Sequence, residues 1–248
     1  MQQLRVRKSV LTITLVGLFA ALSFVALFIK VPIAEQFLHV GNAICILAAL
    51  LLGGWQGGLA GSIGMGMYDL FWYPDSLIKT LILKFGIGLF TGLIAHGGKR
   101  EKRSNPRIWL TMATVLCFGA GGLLLANYTA DPEKMGKSLV ACGFLLVLGS
   151  SLAVLLVLSF LLKQLSDNVL YAALGATAGI AWNVVGEFVW KTVQGLLLGM
   201  TMDAAIAATL VKIPATFING SFSVILAVLL YIPLRAALKK ARLDTLLA

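Results

Sequence analysis

The sequence predicts an all-α fold, a polytopic membrane helical bundle of about eight spans, and three observations predict it. Of 248 residues, 59% are apolar and only 12% charged, with a mean hydropathy of +0.95. Soluble domains run at roughly 45–50% apolar and about 25% charged. Apolar runs of spanning length recur along the chain, and Lys and Arg gather at the ends of alternate runs. Together these exclude an ordinary cytosolic globule, a disordered chain and a fibrous protein. Eight spans at about 20 residues each would use roughly 160 residues, leaving short loops and no separate soluble catalytic domain. The chain is therefore read as one transmembrane domain over residues 1–248.

Taken in order, the first span covers residues 11–29. The basic patch before it looks like a signal peptide, but the run is long enough to span and more runs follow, so it reads as a retained helix. Residues 30–42 form a loop of polar character. The second span, 43–52, runs into a stretch from Gly53 to Gly66 in which seven of fourteen residues are glycine. Such density permits close helix contact, or irregular backbone where protein surrounds it. A third segment continues to about residue 73, and Tyr73-Pro74-Asp75-Ser76 is a turn signal. The fourth span covers 77–95. Runs at 108–126 and 139–162 flank a polar turn, and the last two cover 169–198 and 204–234.

The net charge is +10. Its placement speaks for topology rather than nucleic acid. Arg5, Arg7 and Lys8 precede the first span; Lys99, Arg100, Lys102, Arg103 and Arg107 sit after the fourth; Arg235, Lys239, Lys240 and Arg242 close the chain. With the N-terminus inside, eight spans place all three groups on the cytoplasmic side. The outer loops then hold Glu35, Asp75, Asp131, Glu133 and Asp203, which is consistent with the positive-inside rule. Both termini are expected to be cytoplasmic in a bacterial cell membrane.

Cys45, Cys117 and Cys142 all lie inside apolar runs, with no CxxC or Cys/His spacing for a disulfide framework or a zinc site. The sequence lacks the glycine-rich phosphate loop of ATPases and any HExxH or Ser/His/Asp arrangement. The expectation is a protein that is not an enzyme, with no metal and no cofactor. No inverted internal repeat is visible.

Ionisable groups inside a membrane are costly and usually face a bundle interior or a water-filled cavity. Here they form stripes. Asn183, Glu187, Lys191 and Gln194 share one helix face, with Trp190 beside it; Lys212, Thr216, Asn219 and Ser223 make a second face; Thr80, Lys84 and Thr91 a third. Tyr68, Asp69, Trp72 and Tyr73 crowd the outer end of the glycine-rich segment. One reading is interhelical glue, with Glu187 pairing Lys191 along its own helix. The other is a polar chamber near the outer leaflet. There Trp182, Phe188, Trp190, Tyr68 and Trp72 stack on a flat ring while amides and charges read its edge. His39, beside Gly41-Asn42, is either a chamber contact or a solvated loop residue; His96 reads as an interfacial residue. Gly17 and Ala21 give the first span a small-residue face, for packing within the bundle or for docking a partner membrane protein.

His39-Val-Gly-Asn42 leads into Leu47-Ala-Ala-Leu-Leu-Leu-Gly53, followed by Gly57-Gly-Leu-Ala-Gly61-Ser-Ile-Gly64 and Asp69-Leu. With Lys84, Gly186-Glu187 and Ile213-Pro214-Ala-Thr-Phe-Ile-Asn219-Gly220, this series resembles the substrate-binding S components of energy-coupling factor (ECF) vitamin transporters. The branch it most resembles serves riboflavin, hydroxymethylpyrimidine and pyridoxine-like substrates. The resemblance covers about residues 10–97 and 170–236. It implies a six-helix core, with residues 108–162 as an inserted helical pair. Gly17-Leu-Phe-Ala-Ala21 resembles the family's small-residue motif, with Gly where Ala is usual. Thr216 and Asn219 stand where the family more often has Asn and Gln.

The resemblance implies a high-affinity binder of a water-soluble, ring-containing vitamin, with a scaffold membrane subunit and two cytoplasmic ATPase subunits as partners. The lipid bilayer surrounds it, and no nucleic acid is expected. ATP hydrolysis in the partners would tip the binder within the bilayer, and residues 30–42 would cover its chamber. The candidate substrate contacts are Asp69, Lys84, Asn183, Glu187, Trp190 and Asn219, with Tyr68, Trp72, His39 and Asn42 behind them; Gly17 and Ala21 are the candidate partner interface. The residues leave open an autonomous, ion-coupled secondary transporter of a small polar solute. They also leave open an intramembrane enzyme or assembly factor.

Overall fold

A computed structural model describes residues 2–33, 36–97, 105–130, 135–161 and 167–241. Glu35, Lys99, Arg100, Lys102, Arg103, Asp131, Glu133 and Arg242, which entered the topology argument, lie outside the described residues, as do the side chains of Arg5, Arg7 and Lys8. Helix α1 spans Gln2–Ala26, and β1 (Lys30–Ile33) pairs with β2 (Gln36–His39). Then follow α2 (Gly41–Leu52), α3 (Gly54–Trp72), a 3-10 turn at Pro74–Ser76, α4 (Leu77–His96), α5 (Pro106–Ala130), α6 (Met135–Leu161), α7 (Asp167–Leu197) and α8 (Met202–Lys240).

The all-α polytopic reading stands, with two differences of detail. The loop at 30–42 contains an antiparallel hairpin, with Lys30 opposite His39 and Val31 opposite Leu38. The other concerns span length. Among the described residues, four helices are long and apolar enough to cross a membrane: those at Ser9–Ala26, Pro74–His96, Asp167–Leu197 and Met202–Lys240. The 12 residues of α2 rise only about 18 Å, short of a hydrocarbon core of about 30 Å. Gly53 ends α2 at φ 103, a left-handed conformation that a side chain would strain, and α3 begins at once.

The chain divides into two compact units, the first comprising Met1–Gly97, Tyr171–Glu187 and Ile218–Ala248. Its glycines are contact surfaces. Added Cβ atoms at Gly88 and Gly92 of α4 would collide with the backbones of Gly58 and Gly54 of α3. An adjoining side of α3 presents Gly57 and Gly61 to Ala49 and Cys45 of α2, while Gly64 meets Ala20 and Ser23 of α1. Along α7, Gly175 and Gly179 meet Thr91 of α4, and Gly186 meets Leu83. Four-residue spacing puts small residues on one helix face, so backbones approach where larger side chains would hold them apart. Ile46, Leu50, Met65 and Ile87 are fully enclosed. The outward face of α1 remains apolar, with Ile13 71% and Val25 56% exposed. In water such a surface would be a liability; against lipid it is matched.

The second unit comprises Gly98–Leu170 and Phe188–Phe217. In it α5 packs on α6, with the Cys142 thiol donating to the Gly121 carbonyl at 3.3 Å and Gly149 facing Cys117 and Phe118. Arg107 donates to the Ser159 carbonyl at 3.2 Å and lies over the Phe160 ring. The end of α7 closes through Gly199 at φ 85, with Met200 N–H bonded to the Gly195 carbonyl at 3.0 Å. Just beyond, Thr192 and Thr209 bond across the turn at 3.4 Å.

Candidate functional site

The first unit gathers most of the polar candidates. On α4, Thr80, Lys84 and Thr91 are buried, at 6%, 8% and 0% exposure, so the third stripe points into the protein. The Lys84 ammonium donates to Asn183 Oδ1 at 2.9 Å, joining α4 to α7. One turn along α7, the Glu187 carboxylate pairs with the Lys79 ammonium at 3.4 Å. Thr80 donates to the Asp69 carboxylate, joining α4 to α3. Asp69, Lys79 and Glu187 all lie near enough for their charges to act on Lys84. The result is a balanced set of two carboxylates and two ammonium groups on three helices. A low dielectric makes each pairing strong and makes any unmatched member costly.

The hairpin and its neighbours lie beside this set. His39 N–H donates to Asn219 Oδ1 at 3.2 Å, tying β2 to α8. At the other end, the Lys30 ammonium donates to the Tyr68 hydroxyl at 3.1 Å and sits 5.7 and 5.9 Å over the Tyr68 and Tyr73 rings. The hydrogen bond to Tyr68 raises the Lys30 pKa above its ordinary value, so the lysine stays charged. Tyr68 stacks on Trp72 at 4.7 Å; Phe28, just beyond α1, meets both rings edge-first, and Phe24 of α1 meets Tyr68 edge-first and Trp72 at a tilt. Burial, reinforced by the charges of Lys84 and Lys30, pushes the His39 imidazole down to about 3. At neutral pH it is an uncharged ring.

Among the described residues, the buried side-chain atoms of this unit without a hydrogen-bond partner include Ser23 Oγ, Thr91 Oγ1, Asn42 Oδ1 and His39 Nδ1. Ser23 and Thr91 sit in the close glycine contacts with Gly64 and Gly179. His39 Nδ1 lies 3.2 Å from where a Cβ at Gly41 would sit. Asn42, at 2% exposure, stands one turn before Cys45, whose thiol reaches the Lys84 carbonyl at 3.5 Å. An unsatisfied buried group of this kind costs about 1–3 kcal/mol.

Of the sequence candidates, Asp69, Lys84, Asn183 and Glu187 thus come together, with His39 close enough to Lys84 for charge to act between them. Tyr68 and Trp72 form the aromatic wall that holds Lys30. Trp190 belongs to the second unit, where it is half-buried. Trp182 packs over Gly86 and Phe90. Gly17 and Ala21 are exposed on α1, with open space around a Cβ at Gly17. The sequence reading did not single out Lys79, which pairs with Glu187. A carboxylate inside a span demands a counter-charge, and that demand was the available signal. His96 bonds the Ala49 carbonyl at 3.3 Å.

The family described as ECF-type riboflavin transporter, S component, matches residues 7–167. That range includes α5 and α6, the pair set aside as inserted, and ends as α7 begins. An uncharacterised protein in a gap 3′ region from Pyrococcus woesei is 32% identical over 69 residues, 28% of this chain and 47% of that relative. The chain thus spans about half the length of that curated relative. No solved structure matches the chain.

Proposed function

Because this chain belongs to the family of S components of ECF-type transporters, and is by that membership a multi-pass membrane substrate-binding subunit rather than an enzyme, we propose that it captures a water-soluble, ring-containing vitamin at the Lys84 cluster. A riboflavin-like compound is the first candidate. The observation that supports this reading is the balanced set of half-buried Asp69, Lys79 and Glu187 around buried Lys84, on three helices beside Asn183. Interhelical glue needs one polar pair at a time, whereas this set concentrates polarity on one place. The Tyr68–Trp72 wall supplies flat apolar surface, and the hairpin ends at His39 and Lys30 lie beside the cluster.

In this reading uptake is energised by a scaffold membrane subunit and two cytoplasmic ATPase subunits. The exposed small-residue face at Gly17 and Ala21 docks the scaffold. The test has two arms. Mass spectrometry of molecules co-purifying with the protein, followed by tryptophan-fluorescence titration with a vitamin panel, should reveal one tight ligand. Proteoliposomes should show uptake only when the ATPase module is reconstituted. Uptake by the protein alone, driven by an ion gradient, would overturn the reading.

A further inference from the structure

Within the first unit, the two sides of α8 differ along its last turns. Ser223, Ala227 and Tyr231, four residues apart, are buried. On the opposite side Ile225, Leu229 and Ile232 are exposed. The same row continues through exposed Ala236 to exposed Lys239 and Lys240. These stand at i+4, i+7, i+11, i+14 and i+15 from Ile225, so apolar and cationic side chains share one stripe. Its apolar part is a surface that lipid matches and water does not. Topology alone would be served by lysines on any side of the helix end. Here both stand on the row that lipid covers.

The dimensions and the charge agree with one kind of occupant. From Ile225 to Lys239 the helix rises about 21 Å. Half of a bilayer, headgroups included, is about 20–22 Å. The row therefore has the length of one leaflet, apolar at acyl-chain depth and cationic at headgroup depth. Arg235, one turn before Lys239, lies over the Tyr231 ring at 5.6 Å and adds a third cation near this level. Among the described residues no ion pair involves Lys239 or Lys240. From residue 204 to residue 248, Asp244 is the one acidic residue in the sequence.

We propose that this row binds an anionic phospholipid, with its acyl chains along Ile225, Leu229 and Ile232 and its phosphate at Lys239 and Lys240. A zwitterionic lipid fits the apolar part equally well, but its own ammonium group cancels the attraction of the lysines. The surface stands apart from the Lys84 cluster, and its occupant comes from the surrounding membrane.

The test is photo-crosslinking of the full-length protein in vesicles of phosphatidylcholine with a minor share of phosphatidylglycerol. The photoreactive residue p-benzoylphenylalanine replaces Ala236 or, towards the other leaflet on the same helix, Ile218. Mass spectrometry of the adducts at position 236 should show phosphatidylglycerol enriched about 5-fold or more over its share of the vesicle, and at position 218 no enrichment. Lys239→Gln with Lys240→Gln should abolish the excess at 236, and Lys239→Arg with Lys240→Arg should keep it. Should the glutamine variant not fold, loss of the excess in 1 M salt, which screens exposed charges, is read in its place. Adducts at 236 in the bulk lipid ratio, an excess that survives the glutamine substitutions or the salt, or cross-links to a second copy of the chain instead of lipid would each overturn the proposal.

Discussion

Helix pairs α3–α4 and α5–α6 are each built from consecutive apolar helices, and their glycines do opposite things. In α3–α4 the glycines interlock backbone to backbone, Gly54 and Gly58 against Gly92 and Gly88. In α5–α6, Gly119, Gly122 and Gly143 have open space where a Cβ would sit, and Gly121 and Gly149 make only side-chain contacts. Their polar residues differ in the same way. Thr114 and Ser159 are buried but bond to carbonyls of their own helix, Leu110 and Leu156. Thr80 and Lys84 of α4 instead reach to other helices, at Asp69 and Asn183. Glycine content and polar content therefore say little by themselves. Their meaning lies in whether the partner is on another helix.

The largest expected contrast is at glycine. Gly88→Leu should lower stability by about 3 kcal/mol or more, because the contact is backbone on backbone and cannot repack. Gly122→Leu should shift it by no more than about 0.5 kcal/mol. Thermal unfolding in detergent followed by circular dichroism reads both, and equal effects would erase the distinction. Next comes Lys84→Met. Removing one partner of a buried charged set costs about 3–5 kcal/mol, and ligand binding should be lost with it. Ser159→Ala, in the other pair, should cost about 1 kcal/mol and leave binding unchanged. A double-mutant cycle on Lys79 and Glu187 should return a coupling of about 0.5–3 kcal/mol; a value near zero would remove that pair from the cluster and leave α7 tied only through Asn183.

The last effect is at the hairpin, and it depends on pH. The folded-state pKa of His39 lies at about 3, below the ordinary 6.5. The unfolded chain therefore takes up a proton first as pH falls. The stability that His39 contributes is fully present above about pH 6.5 and is lost progressively as the pH drops towards 3. Thermal melts across that window should show a downward slope towards acid, flattened in His39→Gln. An unchanged slope in the variant would place the ring in solvent.

Much of the fold was legible. Hydropathy located the eight helices among the described residues, and the turn signal at Tyr73–Ser76 falls at the break between α3 and α4. The hairpin was not legible, because four-residue strands offer too short an alternation to distinguish from a loop. In the candidate site, period alone marked Thr80, Lys84 and Thr91 as one face, and all three are buried. The same reasoning looked for a partner of Glu187 along its own helix, and the structure shows one, Lys79, on another. Lys79 stands near the start of α4, where a lysine reads as a flanking charge.

By itself the sequence determined which segments are helical, which faces are polar and that lipid is the solvent. Those properties follow from local spacing and from the free energy of transfer, and both are written residue by residue. Tertiary structure alone decided that Lys84 meets Asn183, that Glu187 meets Lys79 and that Asn42 is left with an unanswered oxygen. Such pairings depend on how closely the helices approach and how they are rotated. Distant glycines set both, and no window of neighbouring residues contains them.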